Sequence, residues 1–173
     1  NTYLRDANAT GFLKYYEDHR YAFVALLPNE GVSVSDYLNS LTPEALLQTL
    51  STHRAATVYT AMPKFSYDYG IALSDTLKSM GMPTAFDKDY ADFSPMATAD
   101  RRNLFIGKVL HKTHITVDTE GTRAGAVTSA SIDSATGALT EVYEVTLDRP
   151  FVYLILDTET NLPIFIGTVM SVS

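Results

Sequence analysis

The residues of this chain best suited to metal binding or proton transfer are four histidines: His19, His53, His111 and His114. The last two are three residues apart in a stretch that predicts a β-strand, so their side chains point to opposite faces and cannot readily share a metal ion. A buried, hydrogen-bonded structural histidine is the favoured interpretation for this group. The sequence therefore predicts no metal site.

The signatures of hydrolases and of phosphate-binding loops are also missing. The chain has no G-x-S-x-G and no S-x-x-K in a plausible setting, and the lack of cysteine excludes a thiol nucleophile, disulfides and cysteine-bound zinc. Gly121 and Gly125 are followed by neither a helix start nor Lys-Ser/Thr, so they do not form a phosphate loop. Two carboxylate pairs resemble solvated surface groups: Asp87 with Asp89, and Glu141 with Glu144. An enzyme and a bound cofactor are therefore not expected.

Composition and charge narrow the class of protein further. At 173 residues, with 46% hydrophobic and 19% charged residues, the chain is long enough for one sizeable globular domain. A formal net charge of -7 and one isolated basic pair, Arg101-Arg102, argue against a nucleic-acid partner. The longest apolar runs, YAFVALLP and FVYLIL, are far shorter than the roughly 20 residues of a membrane-spanning helix. Nucleic acid and membrane are therefore not predicted partners.

One segment, EGTRAGAVTSASIDSATGALTE (residues 120–141), consists almost wholly of Gly, Ala, Ser and Thr. It lies between two predicted strands and is too long for a hairpin turn, so its composition alone favours a mobile surface loop. Yet the alternate positions from Thr122 to Ile132 are small or β-branched, while Arg123, Ser129 and Ser131 lie opposite. This spacing would let the loop become a strand whose inward face carries small side chains.

The elements that flank this segment are predicted from turn and capping signals. Residues 21–31 form a buried strand that leaves through a tight turn, and Ser33 or Ser35 begins a helix. Thr42, followed by Pro43, begins a second helical stretch. Strands are expected on both sides of Pro63, and a helix ends at Gly81.

Longer strands are predicted around the small-residue segment itself. Residues 103–119 are β-branched and free of proline, with His111, Thr113, Ile115 and Val117 on one face. After the segment, residues 141–172 predict three or four strands. The first is split from the next by Pro150, and the others are hydrophobic enough to be buried on both faces.

Seven short segments follow one another in a recognisable order along nearly the whole chain. They are FVALLPNEG (23–31), PKF (63–65), GMPTAFD (81–87), ADFSPM (91–96), VLHKTHITVDTEGTRAGAVT (109–128), DRPFVYLI (148–155) and PIFIGTV (163–169). Together they resemble the C-terminal half of a serpin, a serine protease inhibitor, including its reactive-centre loop. The chain departs from the family near its end, where Met170-Ser171-Val172 stands in place of the usual Val-Asn-Pro.

The resemblance implies an α+β, serpin-like fold of mainly antiparallel β-sheets with a few short helices. The whole chain, 1–173, would be a single partial domain, without the N-terminal half and without a signal region. An extracellular, secreted protein is expected from the resemblance.

The resemblance also implies a role for the small-residue segment, within a reactive-centre loop of about residues 119–147. The hinge of that loop would comprise Glu120, Gly121, Thr122, Arg123, Ala124, Gly125, Ala126, Val127 and Thr128. A target protease would cleave the loop and form an acyl-enzyme, and the freed hinge would insert as a strand in the central sheet. The inward Thr122, Ala124 and Ala126 are small, as in inhibitory serpins, and Arg123 stands outward where the family more often has Glu.

Two positions remain open for the scissile bond. Counting from the hinge with the family's usual spacing gives Ala135-Thr136, whereas counting back from DRPF gives Leu139-Thr140. Ala or Leu before the bond suggests a serine protease with a small or medium apolar specificity pocket, elastase-like or chymotrypsin-like.

Two alternatives are kept beside inhibition. A non-inhibitory serpin that acts as a carrier or binding protein would be expected to have a bulky or charged hinge. Alone, the chain would be only a protease substrate, and exposed strand edges would favour self-association.

Overall fold

The computed structural model describes residues 1–52, 56–97, 104–118 and 141–172. Its strands are β1 (Thr2–Arg5), β2 (Ala9–Tyr15), β3 (Tyr21–Pro28), β4 (Thr57–Ala61), β5 (Phe65–Ala72), β6 (Leu110–Val117), β7 (Val142–Thr146), β8 (Phe151–Asp157) and β9 (Leu162–Val169). Its helices are α1 (Val34–Ser40), α2 (Pro43–Ser51), α3 (Ser74–Ser79) and a 3-10 turn over Thr84–Phe86. The described residues group into two compact units, residues 65–117 and the rest.

The larger unit contains a five-stranded antiparallel sheet with the strand order β1-β2-β3-β8-β9. The predicted buried strand at residues 21–31 is β3, and Gly31 adopts φ +83° in the turn after it. Such a positive φ suits glycine, which has no Cβ. β8 is likewise buried along nearly its whole length, so both central strands lie inside the unit.

Helices α1 and α2 are associated with an aliphatic face of this sheet. Leu4, Val24 and Leu154 lie in that core together with Tyr37 of α1 and Leu50 of α2. The predicted helix starts are confirmed, because the side chains of Ser33 and Thr42 accept hydrogen bonds from the backbone N–H groups of Asp36 and Ala45. Capping of this kind satisfies backbone donors that the first turn leaves unpaired.

A buried polar contact ties α1 to the β1–β2 turn. The Tyr37 hydroxyl donates to Asp6 Oδ2 at 2.7 Å, and Asp6 Oδ1 accepts from the backbone N–H groups of Asn8 and Ala9. Burial and this contact with Asp6 raise the pKa of Tyr37 strongly above its ordinary value. The turn and the helix are therefore held by one carboxylate.

The opposite face of the five-stranded sheet is aromatic. The Phe23 ring lies 6.4 Å from Phe12 and 6.1 Å from Tyr153, and Tyr153 lies 6.1 Å from Phe165. Gly167 is opposite Tyr153 in register, and a Cβ atom at Gly167 would overlap the Tyr153 ring. The sheet therefore has two packed faces of different chemistry.

The same unit contains a separate parallel pair, β4 with β7, in which Thr57 is opposite Val142 and Ala61 is opposite Thr146. The smaller unit contains the antiparallel pair β5 with β6, together with α3 and the 3-10 turn. The break predicted at Pro63 is confirmed, since it falls between β4 and β5. The helix end is also confirmed, with Gly81 at φ +105° just after α3.

Two predictions about strands are wrong in part. Of the predicted strand 103–119, residues 104–109 are not strand: Ile106 donates to Ala85, and Val109 bonds to Leu73 and Ser74. Their backbone groups thus pair with the 3-10 turn and with the start of α3 instead of a neighbouring strand. Burial on both faces holds for β8 but not for β9, an edge strand with Leu162, Ile164 and Ile166 exposed.

Candidate functional site

The residues predicted to react directly lie outside the part of the chain that the structure describes. These are the hinge residues 120–128 and both candidate bonds, Ala135-Thr136 and Leu139-Thr140. The described strands on either side are β6, which ends at Val117, and β7, which begins at Val142. Residues 141–147 of the predicted loop range are thus described, as is Thr119's neighbour Asp118, and most of residues 141–147 belong to β7.

β6, the upstream strand, has one apolar and one polar face. Ile115 and Val117 are buried and share a face with Thr113 and His111, which confirms the predicted alternation. On the same face of β5 lie Phe65, Tyr67, Tyr69 and Ile71. Any strand that pairs with the other edge of β6 would continue this apolar face.

The polar face of the β5–β6 pair carries a short hydrogen-bond chain. His114 Nδ1 lies 2.9 Å from Asp68 Oδ1, and His114 Nε2 lies 3.1 Å from Thr116 Oγ1. Thr116 Oγ1 lies 2.9 Å from Ser66 Oγ. All of these contacts are exposed to solvent, so they join the two strands without creating a desolvated site.

The histidines do not match the structural role that was expected of them. His111 and His114 occupy opposite faces of β6, as predicted, but both are exposed, and so is His19. His53 lies outside the described residues. The prediction of a buried histidine is therefore wrong for the three that the structure describes, because β6 is covered mainly at its Ile115–Val117 end.

Neither a metal-binding cluster nor a membrane-spanning helix is found among the described residues. No group of three or more His, Cys, Asp or Glu side chains in the described ranges is placed to hold a metal ion. None of the helices in those ranges is both long and apolar enough to cross a membrane.

β7, the downstream strand, is fixed at both ends and along one side. The backbone N–H of Thr57 donates to the backbone oxygen of Glu141 at 3.1 Å, and the backbone N–H of Leu147 donates to the backbone oxygen of Ala61 at 2.8 Å. Val145 and Leu147 are buried. β7 is therefore anchored from Glu141 onward, where the described residues resume after residue 118.

The connection from β7 to β8 is anchored as well. The Arg149 guanidinium donates through Nε at 3.3 Å and Nη2 at 3.1 Å to the backbone oxygen of Pro28, at the end of β3. Arg149 also contacts Asp148 at 3.0 Å. The DRPF segment thus ties the downstream strand to a buried central strand.

Sequence reasoning missed the contacts that join β1 to this downstream strand. The rings of Tyr3 and Tyr143 stack at 3.9 Å between centroids and 4° between planes. The signal was present in the alternation of Tyr143, Val145 and Leu147, which predicts a strand with one buried face. Nothing in the sequence identified Tyr3 as the partner, because the two residues are far apart in the chain.

The comparisons with known proteins agree with this arrangement. Residues 5–172 match the family model described as "Serpin (serine protease inhibitor)". Serpin B10 of Bos taurus is 32% identical over 167 residues, which cover 95% of this chain and 41% of that protein. The chain thus spans about two fifths of the length of this relative.

Solved structures show the same fold. The thermophilic serpin tengpin in its native state is 46% identical, with a TM-score of 0.85 over 99% of this chain and 44% of that chain. A loop C-sheet serpin polymer is 36% identical, with a TM-score of 0.72 over 100% of this chain and 44% of that chain. The α+β architecture of mainly antiparallel strands with few short helices is therefore confirmed.

Serpins are in general protease inhibitors and not enzymes, and the family includes secreted and intracellular members. Extracellular localisation accordingly stays a prediction. The strand order, the segment motifs and the family match lead to one conclusion: this chain belongs to the serpin family.

Proposed function

We propose that residues 119–140 belong to the reactive-centre loop of a serpin that traps a serine protease as an acyl-enzyme. The observation that carries the proposal is β6, which leads directly into this segment. Within the described ranges β6 has β5 as its one strand neighbour, and the proposal concerns its other edge. The proposed occupant of that edge is the hinge, Glu120 to Thr128.

The reaction begins as ordinary proteolysis. The protease serine attacks the carbonyl carbon of Ala135, the bond to Thr136 breaks, and the amine of Thr136 leaves with a proton while Ala135 remains as an ester on the serine. Leu139-Thr140 is the alternative bond. A small or medium apolar residue before the bond fits an elastase-like or chymotrypsin-like protease.

Hinge insertion then competes with hydrolysis of the ester. An inserted strand would continue the β6 face that carries the buried Ile115 and Val117, where Thr122, Ala124 and Ala126 fit without burying charge. About ten new backbone hydrogen bonds would contribute on the order of 10 kcal/mol. A displacement of about 1 Å in the active site can slow deacylation roughly a hundredfold, so dragging the ester traps the protease.

The test is a denaturing gel of pancreatic elastase mixed with a full-length serpin that carries this chain. A covalent band at the summed mass is expected, and mass spectrometry of the released peptide identifies the bond. Cleavage without such a band would overturn trapping and favour the carrier alternative. Cleavage at neither Ala135-Thr136 nor Leu139-Thr140 would overturn the bond assignment.

A matched pair of hinge variants separates insertion from simple cleavage. Thr122→Arg places a charge at an inward position, so the variant is expected to be cleaved without forming the covalent band. Arg123→Ala changes the neighbouring outward position and is expected to retain the band. Equal behaviour of the two variants would contradict insertion of this hinge.

We also propose that the isolated chain associates with a second copy through the edge strand β9. Its apolar side chains Leu162, Ile164 and Ile166 are all more than half exposed. Exposed apolar edge strands are prone to pair with another chain, and one similar structure is a serpin polymer. Sedimentation should show dimers or larger species that Ile164→Lys reduces, and a monomer at micromolar concentration would contradict association.

A further inference from the structure

The first half of β7 is the part of the downstream strand that adjoins residues 119–140. Within the described residues β7 pairs with β4 alone, and this parallel ladder spans five residue pairs, from Val142 to Thr146. Its last residues are followed by the buried Leu147 and by Arg149, which is bound to Pro28. Its first residues adjoin the loop, and Val142 itself is exposed.

Tyr143 adds an aromatic side-chain contact to the backbone ladder in this first half. Its ring stacks on Tyr3 of β1 at 3.9 Å between centroids and with nearly parallel planes. Tyr3 is buried, and it lies opposite Phe12 in the β1–β2 register, on the aromatic face of the five-stranded sheet. The stack therefore connects the start of β7 to a packed core.

β1 also contacts β4, the strand that pairs with β7. The side-chain amide of Asn1 donates to the backbone oxygen of Val58 and to Thr60 Oγ1, each at 3.3 Å. Asn1 and Tyr3 are two residues apart, so they address the same side of the chain. One short strand thus contacts both members of the β4–β7 pair.

We propose that Tyr3 is a positioning residue for the downstream end of the reactive-centre loop, acting through Tyr143. The inference rests on the proposed function in so far as residues 119–140 form that loop. While the stack holds, the loop ends at Val142 and is presented to a protease at a fixed exit. Without it, the start of β7 is held less firmly, and more conformational freedom has to be lost there when a protease binds.

This role predicts separate effects on the two stages of inhibition. Tyr3→Leu is expected to lower the association rate constant with the protease about threefold to tenfold, the range that one lost aromatic pair can account for. The ratio of trapped to cleaved inhibitor should stay unchanged, because after cleavage the downstream segment is no longer joined to the hinge. Tyr3→Phe retains the ring and should restore the wild-type rate.

Hydrogen exchange of the full-length serpin provides a readout that does not depend on inhibition. In Tyr3→Leu, the backbone amides of β7 should exchange about threefold to tenfold faster, with β8 unchanged. Tyr143→Leu, at the less buried partner, should have the same effect, and the double variant should add nothing more. Tyr59→Ala, at a residue of β4 that is 64% exposed, is the matched control and should leave β7 exchange unchanged.

The outcomes distinguish the two proposals. Faster exchange confined to β7 supports the positioning role even if no covalent complex with a protease forms, which would overturn the proposed function alone. Unchanged β7 exchange in both tyrosine variants, an equal rise in β8, or additive effects in the double variant would overturn the role of the Tyr3–Tyr143 stack. A lower ratio of trapped to cleaved inhibitor would overturn the assignment of Tyr3 to the encounter stage.

Discussion

The five-stranded sheet and the β5–β6 pair differ in both the composition and the burial of their strands. In the sheet, β3 and β8 are buried along nearly their whole length. In the pair, most side chains of β5 are exposed, and cross-strand contacts such as His114 with Asp68 lie in solvent. The difference teaches that burial here follows the apolar pattern: β3 and β8 are continuous apolar runs and are buried, whereas β6 alternates and leaves its polar side chains in solvent.

This difference in packing bears on the proposed insertion of the hinge beside β6. A region with two packed faces resists rearrangement, because every shift would open a cavity or an overlap. In the described residues the β5–β6 pair has fewer buried side chains than the sheet, so the proposed addition of a hinge strand beside β6 would disturb less packing than a rearrangement of the five-stranded sheet.

The largest contrast is expected from removing one aromatic ring in each region. Phe12→Ala removes a buried ring from the aromatic face and should lower the free energy of unfolding by about 3–5 kcal/mol. Tyr69→Ala on β5, at a residue that is 50% exposed, should change it by less than about 1 kcal/mol. Urea denaturation of both variants measures the two changes in the free energy of unfolding. Similar losses in Phe12→Ala and Tyr69→Ala would contradict the difference in packing between the two regions.

A matched pair of glycine substitutions sharpens the comparison. Gly167→Ala places a methyl group against the buried ring of Tyr153, so the expected loss is about 1–3 kcal/mol. In Gly70→Ala on β5 the new methyl group meets Lys112 Cγ at 3.8 Å and the His111 backbone oxygen at 4.0 Å, both ordinary contacts. Alanine is better suited than glycine to a strand, so stability should be unchanged or slightly higher. Thermal unfolding measures both, and a loss at Gly70 equal to that at Gly167 would contradict the packing argument.

How much of this could be predicted from the sequence depends on the range of the interactions. The caps at Ser33 and Thr42 and the turn at Gly81 were predicted because each depends on a few neighbouring residues. The exposure of β9 and the irregular backbone of residues 104–109 could not be predicted, because both depend on which distant segments lie beside them.

The candidate site shows the same difference between local and long-range interactions. The alternation on β6 was predicted from spacing, whereas the Tyr3–Tyr143 stack joins residues that only the fold brings together. The hinge, Glu120 to Thr128, and both candidate bonds stay predictions from resemblance, because they lie outside the described residues.

A smaller effect is expected at the polar contact that ties α1 to the five-stranded sheet. Tyr37→Phe removes the hydrogen bond to Asp6 and should cost about 1–2 kcal/mol near neutral pH. Because folding raises the pKa of Tyr37, this hydroxyl stays protonated in the folded state above about pH 10, where it ionises in the unfolded chain. Its contribution is therefore present below about pH 10 and lost as the pH rises further.

The difference between wild type and Tyr37→Phe isolates this residue from the other tyrosines. Urea denaturation from pH 7 to 11 should show a stability gap that narrows at the alkaline end. A gap that widens above pH 10 would mean that the hydroxyl ionises more readily in the folded protein, contrary to its burial.

The smallest effect is expected on the exposed face of the β5–β6 pair. Asp68 and His114 are both well exposed, so water and salt screen their interaction and the two side chains lose rotational freedom when they pair. A double-mutant cycle with Asp68→Ala and His114→Ala should give a coupling free energy of about 0.2–1 kcal/mol that decreases with added salt. A coupling comparable to the loss in Phe12→Ala would show that this polar chain, and not the backbone ladder with β6, stabilises the pair.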